Sequence, residues 1–411
     1  MRSGIGVLPL PRAQGDLVVE TLSDERALAG LEPVWNRLVE EAGLDHPFVT
    51  YEWVRTWWEC FGGGRRLHVL VVREGDEPIA IAPLMINETR FGGWRVRRLE
   101  FMANVHTQRS DFIMTRRREE AYRAIWSLLL EQRDLWDVLV LCQVSEASRT
   151  FRELPRLASE SGCLTGLWHS NDAPYASLLG RWDDYQGGLP AKHRANLRNR
   201  FKRLGRLGDV TLEVVREGEG LPAALAEGFR IEAAGWKGQA GTAIADDPRV
   251  LRFYEILAGR AARRGWLRLH FLRAGGHRVA FDYSLHYGNR AFLLKPAYDP
   301  KYAAYSPSNL LCYLVLRDGF EGGLAEFDFL GAEDPWKLAW ATSARRHFWL
   351  YVFPSTLQMR LVRWAKFGLA PRLRRHRAYA LLRDAARAVT DGLKSRRPGP
   401  EQLGCAKRRP A

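Results

Sequence analysis

Apolar residues recur at helical spacing between Asp24 and Glu41 (Leu28, Leu31, Val34, Trp35, Leu38, Val39), with acidic residues early, which predicts a helix regular from about Pro33. The run TYEWVRTWWECFGGG keeps that period; Thr50 is placed to cap it and the glycines after Phe61 to stop it. The period then drops to two. LHVLVVRE, a turn at Gly75 and Asp76, PIAIAPLMI, a loop with Gly92 and Gly93, and WRVRRLEFM read as an antiparallel meander. Helix and strand alternate afterwards through EEAYRAIWSLLLEQ, WDVLVLCQV, a helix from Ser148 to Ser161 and the strand CLTGLWH, up to a hinge over Tyr185 to Pro190.

The second half starts with a basic helix, KHRANLRNRFKRLGRLG, and the strand VTLEVV. A helix over LPAALAEGFRIEAAGWKG, another through FYEILAGRAARRG, and three strands turning at Gly275-Gly276 and Gly288-Asn289 follow. The meander has returned: Leu67, Arg73, Gly75, Ile79 and Ala80 stand 200 positions before Leu267, Arg273, Gly275, Val279 and Ala280. Each half has helices, three strands, a helix, a strand and a final strand. The pattern predicts an α/β (α+β) chain of two similar lobes, each a mixed, mostly antiparallel sheet flanked by helices, over residues 1–184 and 185–354, with a basic helical tail over 355–411.

Length agrees, because 411 residues exceed one ordinary core. The formal charge of +15 would suggest nucleic acid were it spread evenly, but residues 355–411 carry 15 Lys and Arg against 3 Asp and Glu, leaving the body nearly neutral. Two basic stretches remain informative. The linker helix (Lys192, Arg194, Arg198, Arg200, Lys202, Arg203, Arg206) is either a solvated cationic face or an edge for a phosphorylated acceptor, tRNA or anionic polymer. The tail, with Leu361, Val362, Trp364, Phe367 and Leu369 among arginines, suits an amphipathic helix that docks on the body or lies on anionic lipid. No apolar run reaches the ~18 residues of a membrane span and no secretory leader is seen, so the expected location is cytoplasmic, with a peripheral contact at the inner face of the membrane as its extension. Cys60, Cys142, Cys163, Cys312 and Cys405 form no CxxC pair, so neither a disulfide framework nor a structural zinc site is expected. The absence of HExxH and GxSxG disfavours metal and serine hydrolysis, and no metal is assigned.

Two segments carry candidate chemistry. In LLKPAYDPKYAAYSPSNLLCYLVLRDG a strand ends at Ala297-Tyr298-Asp299 and a helix opens near Ser306-Pro307-Ser308-Asn309, where backbone N–H groups can hold a phosphate; an ordinary capped helix reads the same. In LAEFDFLGAEDPWKLAWAT, Lys337 stands between Trp336 and Trp340, either to stabilise an anion or to lay its stem over the rings. Candidate proton acceptors are Asp282, Asp299, Asp328 and Glu232, with Asp299 first because it ends the strand beside the helix start, although Asp-Pro is also turn chemistry. Glu232 shares a helix face with Trp236; Trp236 and Lys237 line an acceptor cleft, or serve as core and solvated helix end.

Taken together, HPFVTYEWVRTWWECFG, IAPLMI, KHRANLRNRFKRLG, GWKGQAGTAI, VAFDYSLHY, AYDPKYAAYSPSNLL and FDFLGAEDPWKLAW resemble the bacterial GNAT-type acyltransferases of the CelD-like, cellulose-biosynthesis-associated group, distant relatives of the Fem-type aminoacyl-tRNA transferases. The resemblance spans about Asp45 to Tyr351. It implies a tandem GNAT fold and transfer of an acyl group, acetyl in the simplest case, from acetyl-CoA or another acyl-CoA to an amine or hydroxyl of a small-molecule, glycan or lipid-linked acceptor. The donor would sit in the second lobe, at Tyr298, Ser306, Ser308 and Asn309, and the acceptor between lobes. The (Q/R)xxGx(G/A) loop of GNAT proteins is missing. For Fem-type relatives the resemblance implies that Lys337 serves transfer and that Arg194 grips an acceptor phosphate. A Fem-like donor, aminoacyl-tRNA, is therefore the rival enzyme reading, and a non-catalytic module of envelope or polysaccharide assembly is the rival from another class.

Overall fold

A computed structural model describes residues 17–91, 94–235, 238 and 241–369. Helices α1 (Glu25–Gly30) and α2 (Glu32–Glu41) share the stretch read as one helix, with Asp24 capping the first by accepting from Arg26 and Ala27 N–H at 2.9 Å. α3 (Tyr51–Phe61) starts where expected, Thr50 Oγ1 accepting from Trp53 N–H. Strand β1 (Leu17–Leu22) leads into β2 (Arg66–Glu74), β3 (Glu77–Phe91), β4 (Trp94–Phe101) and the short β5 (Ile113–Met114). Then come α4 (Arg118–Glu131), β6 (Val138–Ser145), α5 (Arg149–Glu160) and β7 (Leu164–Ser177). The expected hinge is instead a helical turn, α6 (Trp182–Gly188), because Trp182 and Tyr185 pack on Phe320 and the Tyr185 hydroxyl donates to Trp340 O at 2.6 Å.

The second half runs α7 (Ala191–Leu204), β8 (Val210–Val215), α8 (Leu221–Ala234), α9 (Pro248–Arg263), β9 (Leu267–Ala274), β10 (His277–Tyr287), β11 (Arg290–Tyr298), α10 (Pro307–Glu321), β12 (Glu326–Asp328), the single turn α11 (Pro335–Leu338) and β13 (Ser343–Phe353). The repeat is structural. β2–β3 and β9–β10 are both antiparallel hairpins with a register shift at the same place, leaving Ile79 and Val279 as the extra residues. Arg73 reaches back to Asp76 O and to Glu20 on β1, and Arg273 to Gly276 O and to Glu213 on β8.

All the strands join one sheet in the order β1-β2-β3-β4-β6-β13-β7-β12-β11-β10-β9-β8, with β5 on β3. The final strands are exchanged: β13 lies between β6 and β7, and β7 borders β12. Apolar residues of α3, α8 and α9 cover one face, and two further clusters form under α4–α5 and under α10. Residues 17–90 and 95–355 thus make one compact unit. The other holds the tail, of which helix α12 (Leu357–Trp364) and a π-helical turn (Ala365–Leu369) are described; the rest of the expected amphipathic tail lies outside the described residues.

Candidate functional site

β11 and β12 are parallel and bonded over three pairs only, Arg290–Glu326, Ala291–Phe327 and Phe292–Asp328. Beyond Asp328 the chain leaves β11: Phe329 N–H bonds to Pro174 O on β7, and Leu330 adopts a left-handed φ of 56°. The remaining edge of β11, from Leu293 to Tyr298, therefore faces a cavity of about 490 Å³ instead of a strand. A bulge sits at this point, since Tyr283 pairs with Lys295 and Ser284 with Leu293, leaving Leu294 without a partner in β10. The other walls are Ser308 and Asn309 at the start of α10, Phe329–Gly331, Asp334, Trp336 and Lys337, the C-terminal end of α8 with Glu232 and Gly235, Tyr254 of α9, and Val105, His106 and Gln108 from the first half.

Of the expected site residues, Tyr298, Ser308, Asn309, Glu232 and Lys337 meet in this cavity. Lys337 is largely buried, and its ammonium donates to Leu330 O at 2.9 Å, Ala332 O at 3.0 Å and the Asp334 carboxylate at 2.9 Å, while standing 5.7 Å from the Trp336 ring. The loop 330–334 is thereby curled around a cation. Glu232, 1% exposed, accepts Ile244 N–H at 2.8 Å. Ser306 is the N-cap of α10 in a left-handed conformation, φ 49°, without a side-chain cap bond, so it turns the chain into the helix and is not itself a cavity wall.

Other expected residues sit elsewhere. Asp299 caps the 3-10 turn Pro300–Tyr305 by accepting Lys301 N–H at 3.0 Å, and does not line the cavity. Asp328 is fully buried below it: one carboxylate oxygen accepts Leu330 N–H at 2.8 Å, the other meets Arg109 and, at 3.5 Å, Arg345. Burial brings the Arg109 guanidinium down to about 10, still cationic at neutral pH. Asp282 is buried on β10, outside the cavity wall. Arg194 is on the first turn of α7, half-buried and outside the cavity wall. Trp236 and Lys237 lie outside the described residues.

Sequence reasoning missed His106, Gln108, Tyr254 and Lys295. Burial, then the Lys295 charge, pushes His106 down to about 4, so its imidazole is neutral; its Nδ1 lies 3.3 Å from the Tyr254 hydroxyl. A lysine in the otherwise apolar strand LLKPAY was the one available signal. The 103–112 loop has no periodicity to mark it.

The corresponding helix start in the first half is occupied by ion pairs. There α4 also opens on a left-handed N-cap, Arg117 at φ 46°, but Arg116 and Arg117 pair with Glu74 at 2.9 and 2.8 Å, and Arg116 with Glu77 at 2.6 Å. Acidic Glu119 and Glu120 occupy its first turn, where they oppose an incoming anion. Among the described residues no cluster of three or more His, Cys, Asp or Glu could hold a metal, and no helix is long and apolar enough to cross a membrane.

Residues 191–338 match the family model described as an acetyltransferase (GNAT) domain. No curated protein matches the chain in sequence. Among solved structures it is similar to FemX (11% identity, 79% of this chain and 97% of that one, TM-score 0.55). It is also similar to a conserved protein of unknown function from Bacteroides thetaiotaomicron (10% identity, 81% and 100%, TM-score 0.52). A tandem GNAT protein from the clavulanic acid biosynthesis pathway aligns over 83% of this chain and 100% of its own at 15% identity and a TM-score of 0.43. Residues 191–338 thus resemble a GNAT-type acetyltransferase domain, and the chain shares its overall fold with FemX.

Proposed function

We propose that the protein is an acyltransferase of the CelD-like kind that moves an acyl group, acetyl in the simplest case, from acyl-CoA to an amine or hydroxyl acceptor. The observation that carries this reading is the cavity opened where β11 and β12 part, inside the segment matching the GNAT domain. Donor phosphates go to the start of α10, where Ser308 and Asn309 meet the N–H end of a 15-residue helix. The thioester lies along the edge of β11 beyond its pairing with β12, and the backbone at the Leu294 bulge is the place for a carbonyl oxygen that gains negative charge. The acceptor enters between this edge and the 105–108 loop. Glu232 is a carboxylate of the cavity wall that can take the proton an ammonium must lose before attack, whereas Asp299 and Asp328 do not line the cavity. Residues 185–354 are then the donor side and 1–184 the acceptor side.

A second reading rests on Lys337. A caged ammonium in the cavity, with no glycine loop at α10, suits a Fem-like transfer from aminoacyl-tRNA, and the cationic face of α7 with Arg194 would meet the phosphates. Titration with acetyl-CoA separates the two: micromolar, saturable binding supports the first, whereas retention of charged tRNA without CoA binding supports the second. A cytoplasmic site of action and an anionic-lipid contact for the tail belong to the same proposal.

A further inference from the structure

His106 is the ring that the first half places in the cavity wall. Its backbone N–H bonds to Asn104 Oδ1 at 3.0 Å, and the next residue, Thr107, accepts from the buried Trp53 indole at 3.2 Å. The imidazole packs on the phenyl rings of Phe61 and Phe253, at 6.1 and 6.2 Å with interplanar angles of 25° and 21°, and meets the Tyr254 ring edge-on at 5.5 Å. Aromatic surface on these sides keeps water from the ring and holds it in one orientation.

Tyr254 decides which nitrogen carries the proton. Its hydroxyl lies 3.3 Å from His106 Nδ1, the one hydrogen-bond partner found for it among the described residues. Tyr254 is 1% exposed, so an O–H that did not donate to Nδ1 would be buried without an acceptor, a state that folded proteins avoid. Nδ1 is therefore the acceptor, and the proton of the neutral ring sits on Nε2. No described residue accepts from Nε2, and the ring lines the cavity.

We propose that His106, locked by Tyr254 as the Nε2–H tautomer, is a substrate-contacting donor of the acceptor site, and that the acceptor is of the amino-alcohol class, with an uncharged oxygen that takes this N–H. This rests on the acyl-transfer reading, in which the acceptor passes the 105–108 loop, and names its substrate class. A molecule that fills the cavity displaces water from Nε2–H and must bring a lone pair in its place. An apolar group leaves the donor unpaired, and an ammonium sets one donor against another. With Nε2 protonated and Nδ1 engaged, the ring does not serve as the base. Tyr254 is a positioning residue that acts through His106.

The full chain allows both parts to be tested. In protein carrying nitrogen-labelled histidine, with the signal assigned through His106→Gln, the nitrogen spectrum at neutral pH should show a neutral ring protonated at Nε2. In Tyr254→Phe the Nδ1–H form should appear beside it. An Nδ1–H or imidazolium form in the wild type, or a tautomer indifferent to Tyr254→Phe, overturns the inference. With acetyl-CoA, ethanolamine is compared with the isosteric propylamine. Their difference in basicity is the same for every variant, so a change in the ratio of their kcat/KM values reports recognition. The ratio should fall about tenfold in His106→Leu, mainly through KM, and recover in part in His106→Gln, whose amide supplies an N–H. A ratio unchanged in His106→Leu overturns the inference and leaves acyl transfer standing. Should neither amine be acetylated, the same amines titrated into the labelled protein decide: movement of the Nε2–H signal with ethanolamine alone upholds the site, and no movement, or equal movement with both, removes it. Acetyl-CoA binding, measured by itself, tests the donor reading separately.

Discussion

Lys337 shows how a charged side chain is fixed at a cavity wall. Its ammonium has three N–H groups and three acceptors, two carbonyls and a carboxylate, so it is held as a cation in one position at the cavity wall. Lys337→Ala removes that charge and leaves the Leu330 and Ala332 carbonyls without their donor. We expect transfer to fall about 10²- to 10³-fold, the usual cost of losing one preorganised electrostatic group, with a melting temperature only a few degrees lower; wild-type turnover in this variant contradicts the assigned role. Glu232→Gln is the sharper substitution, because the amide oxygen still accepts Ile244 N–H. Its kcat should drop by about 10² to 10⁴ with unchanged stability, measured by steady-state rates beside thermal melts.

At the scale of elements, α8 is fixed on β10 by a close approach at Gly228, where an added Cβ would lie 2.4 Å from Phe281 Cε2. Gly228→Ala should destabilise the fold by about 1 to 3 kcal/mol in urea titration and weaken transfer by displacing Glu232. The repeated meanders were legible in the sequence because alternation and turn glycines are local signals, and Arg73 and Arg273 keep equivalent partners. The start of α10 and Lys337 were legible for the same reason: they stand where one element ends and the next begins. Asp328 was not, since its partner Arg109 is 219 positions away and no local pattern announces that pairing. Asp299 shows the other failure, a residue in the right stretch of chain whose side chain is spent on capping a turn. The contribution of His106 and Gln108 to a cavity built mainly by the second half follows from packing that sequence spacing does not encode.

The described strands form one sheet made from two repeats that exchange their last strands, so neither repeat completes its sheet without the other. Burying polar groups at this junction has a pH consequence. His347 is fully buried, and burial, followed by the Arg109 charge, brings it down to about 3; burial and Arg109 likewise push His46 down. Such a histidine is neutral in the folded state and protonated in the unfolded chain between about pH 6.5 and 3, so stability is full above 6.5 and falls as pH drops, by about 1.4 kcal/mol per pH unit for each group. Melting temperatures should therefore be level from pH 8 to 7 and decline steadily below 6.5; a flat profile down to pH 5 contradicts this.

The ion-paired helix start at α4 and the cavity at α10 make the central proposal countable: two similar halves, one donor site. Isothermal titration of the chain with acetyl-CoA tests it most directly. The account predicts saturable micromolar binding of one molecule per chain, weakened about tenfold or more by Asn309→Asp, which sets a carboxylate at the phosphate end of the cavity. No heat of binding, two equivalent sites, or binding indifferent to Asn309→Asp would contradict it.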